Sequence, residues 1–335
     1  MTLKSGNLPR FLAAMQCIYA FPTEPSASPW NPPPATAGHR GRYLWTDAFG
    51  VLNFLTLHRV TSQPIYLAHA KSLVSAVHST LGRTRDLSSH LPGASPSNPL
   101  GGGLRIGKED ATGPDGDGQY HHYLTLWMFA LNRLATVSGD TEYNKHAIFL
   151  AQVIHPHFVY NRSSSRPRIY WKMSTDLKTP LVKSEGNLDP VDGLVTFRLL
   201  QQTDGQDSTV LSEEIADYER IVESKWKGYT SSDPLDLGMT LWTAHWFANS
   251  DTWARGLAFR DFGTILGIKC ALASGDSKWT DRADAIIQTW EDAGVVPEPA
   301  KENVRGMNAE DDLLPITEVM YAAALIPGVF QMIGD

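Results

Sequence analysis

The sequence predicts an all-α protein assembled from helical hairpins, and three observations carry that prediction. The first is a helix-turn-helix phrase that recurs with the same turn chemistry. In Leu131-Asn-Arg-Leu-Ala-Thr-Val-Ser-Gly-Asp140-Thr-Glu-Tyr143 a leucine-rich run stops at Ser-Gly-Asp and an aromatic follows in the next run. Cys270-Ala-Leu-Ala-Ser-Gly-Asp276-Ser-Lys-Trp279 repeats it, and Leu57-His-Arg-Val-Thr-Ser-Gln-Pro64-Ile-Tyr66 is a looser copy with Pro64 where the others have Thr141 and Ser277. Glycine ends one helix, Asp or Ser caps the next, proline suits a first helical turn, and the aromatic packs back on its predecessor. The second observation is apolar spacing near the helical period along most of the chain. The third is size: 335 residues with 42% hydrophobic content bury a large core, and hairpins that recur imply stacked or closed helical pairs.

Taken in order, periodicity and end signals predict helices over about 8–20, 43–60, 65–81, 119–137, 143–155, 191–202, 211–226, 237–248, 252–273, 279–290 and 313–332. Residues 21–39 are dense in Pro, Ser and Ala and read as an extended connector or surface strap. This divides the chain into an N-terminal helix and strap (1–42) and a single helical-hairpin domain (43–335). Two stretches break the pattern. Residues 86–118 are rich in Gly, Pro and Ser and too long for a routine connection. Residues 167–189, containing Arg168-Ile-Tyr-Trp-Lys-Met-Ser174, alternate like a short β-hairpin decorating the helical body.

Composition narrows the function. A net charge of −7 and the absence of any Lys/Arg block argue against nucleic acid as a partner. No apolar run reaches the roughly 18 residues of a membrane span. The first apolar run, Phe11 to Phe21, is broken by Gln16 and leads into proline rather than a cleavage site, so a cytoplasmic location is expected. Asn161-Arg-Ser163 matches a glycosylation acceptor, which has meaning only in a secreted chain. Cys17 and Cys270 read as buried free thiols, with no disulfide framework and no thiolate metal site.

The hairpin count, the acidic and tryptophan-rich helix ends and the length resemble the six-hairpin glycosidase-like superfamily, from about residue 43 to 332. That resemblance implies an (α/α)6 barrel with its pocket at one end, where loops between inner and outer helices gather acids and aromatics. It also implies chemistry of the kind found among glycoside hydrolases, unsaturated glucuronyl hydrolases and sugar epimerases. It rests on pattern, and no catalytic residue follows from it.

The candidate residues come from the sequence itself. The densest polar stretch, Gly101 to Tyr123, carries Arg105, Lys108, Asp115, Asp117, Tyr120, His121 and His122 and runs straight into an apolar helix. Its glycines allow close backbone approach, and Asp117 lies near a helix N-terminus. The alternative is that its acids cap and salt-bridge a surface loop. A calcium loop beginning at Asp115 fails because Tyr120 falls at the glycine position and Leu126 at the glutamate position. A phosphate loop fails because Glu109 follows Gly107-Lys108, and Gly101-Gly-Gly lacks a dinucleotide setting. Adjacent His121 and His122 point about 100° apart on a helix, so at most one faces a pocket. His122 and His245 are acid-base candidates against the alternative of packed histidines.

Asp47, in an apolar helical start, is an acid whose pKa burial raises, unless it only caps the helix. Asp192 follows Asp189 at another helix start, where Asp189 reads as the N-cap. Arg255, beside Trp253, would pair an acid across a turn or clamp an anionic substrate, as would Arg105. Trp45, Trp242, Trp246 and Trp253, with Tyr120, offer a stacking surface if they are not core. The expectation is an enzyme using Asp47, Asp117, Asp192, His122 and His245 for acid-base chemistry on a small molecule, with no cofactor and no metal. Glycoside or uronide hydrolysis leads. Isomerisation, epimerisation or cyclisation in an aromatic-lined cavity is the alternative, and a non-catalytic binding module the third reading.

Overall fold

The computed structural model describes residues 6–24, 29–33, 42–113, 116–182, 184–186, 188–229, 233–248, 250–251, 277–292 and 314–332. Within them the chain is an all-α barrel of helical hairpins. Its helices are α1 (Asn7–Tyr19), α2 (Leu44–Thr61), α3 (Pro64–Leu81), α4 (His121–Ser138), α5 (Glu142–Phe158), α6 (Asp189–Asp204), α7 (Ser212–Lys225), α8 (Pro234–Ala244), α9 (Ser277–Asp292) and α10 (Leu314–Leu325). Burial sorts them into two layers. Every residue from Leu44 to Leu57 of α2 is buried, and α4 and α6 are nearly as enclosed. By contrast α3, α5 and α7 bury one stripe and expose the rest, as amphipathic outer helices do. The inner helices α10, α2, α4, α6 and α8 pack successively side by side, each of the first four backed by an outer partner.

The recurring turns explain the alternation. Gly139 ends α4 in the left-handed region at φ 71°, its N–H donating to Ala135 O, and Asp140 Oδ1 accepts the Glu142 N–H that opens α5. Ser62 takes the same left-handed place after α2 at φ 57°, with Pro64 opening α3. The third copy, around Cys270 to Asp276, lies outside the described residues, as does the helix expected over 252–273. Helix α1 packs against α10. Its Asn7 donates to Leu325 O, and Arg10 and Tyr321 both reach Glu291, which joins α1, α9 and α10. Cys17 of α1 is a half-buried free thiol rather than a core residue.

The C-terminal element is shorter than its apolar run suggested. Helix α10 stops at Leu325 before Pro327, and one 3-10 turn, Gly328–Phe330, enters between the inner helices. Phe330 packs on Phe49 at 5.2 Å and Trp242 at 5.9 Å, and its carbonyl accepts from Trp242 Nε1 at 3.0 Å. Helix α8 likewise ends at Ala244 and tightens to a 3-10 turn, His245–Phe247.

The strands are short. The expected hairpin is β4 (Lys172–Met173) with β5 (Pro180–Val182), joined on its other edge by β1 (Gln119–Tyr120), with Tyr120 opposite Lys172. A second pair, β2 (Val159–Tyr160) and β3 (Arg168–Ile169), continues from α5. Among the described residues no helix is long and apolar enough to cross a membrane.

Candidate active site at the N-terminal rim

Because outer helices carry the chain back, inner helices run parallel and their first turns meet at one rim. This brings together Trp45 of α2, His121 and His122 of α4, and Asp189 and Asp192 of α6. Asp189 Oδ1 faces two histidine nitrogens, His121 Nδ1 at 3.5 Å and His122 Nδ1 at 3.6 Å. These are ion-pair separations, longer than a hydrogen bond, and Asp189 Oδ1 closes no hydrogen bond among the described residues. Burial alone would push the Asp189 carboxyl up, but the two imidazoles outweigh it and hold it well below the usual carboxylate range. The carboxylate thus favours a proton on each Nδ1, which leaves each Nε2 as the basic nitrogen.

The two rings then diverge. His121 is fully enclosed, and its Nε2 meets the Tyr218 hydroxyl of α7 at 2.6 Å. Burial keeps that phenol protonated, so it donates to the imidazole. His122 is 16% exposed at its side chain and sits among aromatic rings: Trp45 edge-on at 5.1 Å, Tyr123 at 4.5 Å, and Tyr120 stacked at 5.7 Å. Tyr120 stacks in turn on Trp171 at 5.5 Å, and Lys172 Nζ lies 4.9 Å from the Tyr120 ring centre. Asp192, one turn below Asp189, accepts from Thr243 Oγ1 of α8 at 2.7 Å. Burial raises its carboxyl well above the usual range against that hydrogen bond, and the charges of Asp189 and Asp236 add to the rise. The rim therefore sets a carboxyl whose pKa is held low beside one whose pKa is pushed up, on a single helix turn, a split that suits acid-base work.

The other expected site residues lie elsewhere. Asp117 anchors the long loop: Oδ2 accepts from Arg85 and Arg105 at 3.1 Å each, and Oδ1 from the N–H groups of Gly107, Lys108 and Gly118. Asp117 thus turns the polarity at its own end of the loop inward, with Arg105 spent on Asp117 and on the carbonyls of Arg83 and Thr80. Lys108 is buried and its backbone joins the same anchor. The loop reading as structural support replaces the reading of Asp117 as acid and of Arg105 and Lys108 as substrate ligands.

Asp47 is buried beside the rim, its Oδ1 accepting from Arg42 Nε at 2.8 Å and Tyr19 Oη at 3.1 Å. Burial raises its carboxyl while these two partners pull it down. Trp246 stands on the 3-10 turn after α8 and faces Leu199 and Gln202 toward the C-terminal end of α6, whereas Trp242 and His245 flank Thr243, which reaches the rim acid Asp192. His245 Nδ1 is bonded to Trp242 O, and burial lowers its pKa to about 4, which keeps it neutral. Toward the C-terminal end of α6 lies a cavity of about 580 Å³, lined by Arg133, Leu199, Gln202, Trp246, Phe247, Ser250 and Met332. Trp253, Arg255 and Asp115 lie outside the described residues.

Two residues of the rim were not singled out as chemical groups in the sequence. Asp189, read as an N-cap, is the first residue of α6 and caps nothing with its side chain. His121, one of an adjacent pair of which at most one is expected to face a pocket, turns onto Asp189 together with His122. The signal for both was available in helix parity, since every second helix starts at the same end.

No protein-family model and no curated protein sequence matches this chain. Among solved structures it is similar to a D-mannose isomerase, with a TM-score of 0.53 at 11% identity over 96% of this chain and 99% of the other. It is also similar to a sugar epimerase from a ruminal bacterium, with a TM-score of 0.52 at 10% identity over 93% and 95%. At such identities the likeness concerns the fold. The resemblance to the six-hairpin superfamily thus holds at the level of the helical barrel, and the two neighbours carry the names of an isomerase and an epimerase rather than of glycosidases.

Proposed function

We propose that this protein is a carbohydrate-modifying enzyme that isomerises or epimerises a small sugar by proton transfer at the N-terminal rim. The observation that carries the reading is Asp189 Oδ1 facing Nδ1 of both His121 and His122 beneath an aromatic surface. The fold it shares with an isomerase and an epimerase supports the same choice over hydrolysis. His122 takes the proton from the carbon beside a sugar carbonyl with Nε2, oriented by Asp189. Asp192, kept protonated by burial, gives its proton to the carbonyl oxygen, and the product is an enediol. Return of a proton to the neighbouring carbon, with Asp192 taking back a proton from the hydroxyl whose oxygen becomes the new carbonyl, gives the isomer. Return to the opposite face of the same carbon, with Asp192 recovering its proton from the original carbonyl oxygen, gives the epimer. Trp45, Tyr120 and Trp171 supply a stacking surface for the sugar ring.

One observation favours the hydrolytic reading, namely the ionised Asp189 and protonated Asp192 on one turn, the pairing that glycosidic cleavage uses. Proton exchange separates the two. Incubation with a panel of aldoses and ketoses in deuterated water should place deuterium at C2 or C1, read by NMR. Replacement of His122 by Asn should slow that exchange by roughly a hundredfold or more. No exchange with any free sugar, together with release of reducing ends from glycosides, would establish hydrolysis instead.

A further inference from the structure

The cavity at the opposite end of the inner helices has its own chemistry. Arg133 of α4 stands in its wall with its guanidinium carbon 4.9 Å from the Trp246 ring centre and 5.4 Å from that of Phe129. Its Nε and one Nη2 hydrogen bond Asn132 Oδ1, and no carboxylate pairs with it among the described residues. A guanidinium has five N–H groups, so three are left, and two of them, one on each Nη, form the terminal fork that matches a planar oxyanion. The indole Nε1 of Trp246, a residue only 8% exposed, has no hydrogen-bond partner among the described residues. The rest of the lining is apolar (Leu199, Phe247, Met332) or neutral and polar (Gln202, Ser250), with no acid among the described lining residues.

From this geometry we infer a second binding site, for a small organic carboxylate whose apolar body lies against Trp246, Phe247, Leu199 and Met332 while its carboxylate takes the free edge of Arg133. The C-terminal ends of α4 and α6 oppose an anion, but that field fades within the last turn, and Arg133 lies more than a turn before Ser138. Burial lowers the Arg133 pKa only to about 10, so the group is charged at neutral pH. The volume, about 580 Å³, falls in the range of small-molecule pockets.

The test is calorimetric titration of the full chain with benzoate and with its neutral isostere benzamide, independent of any turnover at the rim. Benzoate should bind saturably and at least about tenfold more tightly than benzamide, and Arg133→Gln should remove that preference. Gln202→Glu, at an exposed position on the cavity wall, should weaken benzoate by placing a like charge at the cavity, and it keeps the test decisive should the Arg133 variant not fold. Equal binding of the two probes, saturation by neither, or a preference unchanged in Gln202→Glu would each overturn the site.

Discussion

At the scale of single residues, the contrast between Asp189 and Asp117 is the most instructive. Both are buried acids near inner-helix starts, yet Asp117 spends both oxygens on two arginines and three backbone N–H groups, while Asp189 Oδ1 closes no hydrogen bond among the described residues. A fully satisfied carboxylate holds structure, and an unsatisfied one is held ready for something else. Asp117→Asn should therefore cost about 3–5 kcal/mol in urea unfolding, because Arg85 and Arg105 lose their counter-charge. A variant with unchanged stability and abolished turnover would instead restore Asp117 as a working acid. Asp189→Asn should show the reverse pattern, with sugar proton exchange lost by roughly a hundredfold and the global fold retained, as near-ultraviolet circular dichroism would report. The residue types at both positions were legible in the sequence. Their roles were not, because donors as far as 32 positions away in the chain decide whether an acid is spent.

At the scale of elements, the turn chemistry explains why helices pair as they do, and close helix approach explains how the rim is held. Gly193, next to Asp192 on α6, lies against Tyr218 of α7 so tightly that a Cβ there would come within 2.4 Å of the phenol ring. That approach is what lets the Tyr218 hydroxyl reach His121 across the layer. Gly193→Ala should cost roughly 1–3 kcal/mol by overpacking and should also lower exchange activity as His121 loses its partner. Unchanged stability and turnover in this variant would show that α7 does not support the site. Helix positions followed from apolar period and end signals. The strand pairing did not, since β3 joins β2 across a loop and β1 joins β4 from far along the chain, contacts that local alternation cannot specify.

At the scale of the whole molecule, the layering leaves one acid with no evident use in the rim chemistry. Glu318 of α10 is fully buried, neither carboxyl oxygen has a partner among the described residues, and burial raises its pKa from 4.5 to about 8. A raised carboxyl pKa means that the folded state holds a proton which the unfolded state releases above 4.5. Its effect is therefore to lower stability as pH rises from 4.5 to about 8. Glu318→Gln should match the parent near pH 4.5 and exceed it increasingly up to about pH 8, by a few kcal/mol in urea unfolding. A difference that does not vary with pH would show that Glu318 is ionised in the fold.

By itself the sequence determined the helical hairpins, the long loop, the short β-hairpin and the acidic, aromatic character of the helix starts, because period, capping and turn chemistry act over a few residues. Only the tertiary structure decided which of those starts share a rim and which polar groups are already spent. Packing in two layers places Trp45, His122 and Asp189 together from helices far apart in the chain and sends Trp246 toward the C-terminal end of α6. Pairing of this kind depends on distance in space, which no local pattern encodes.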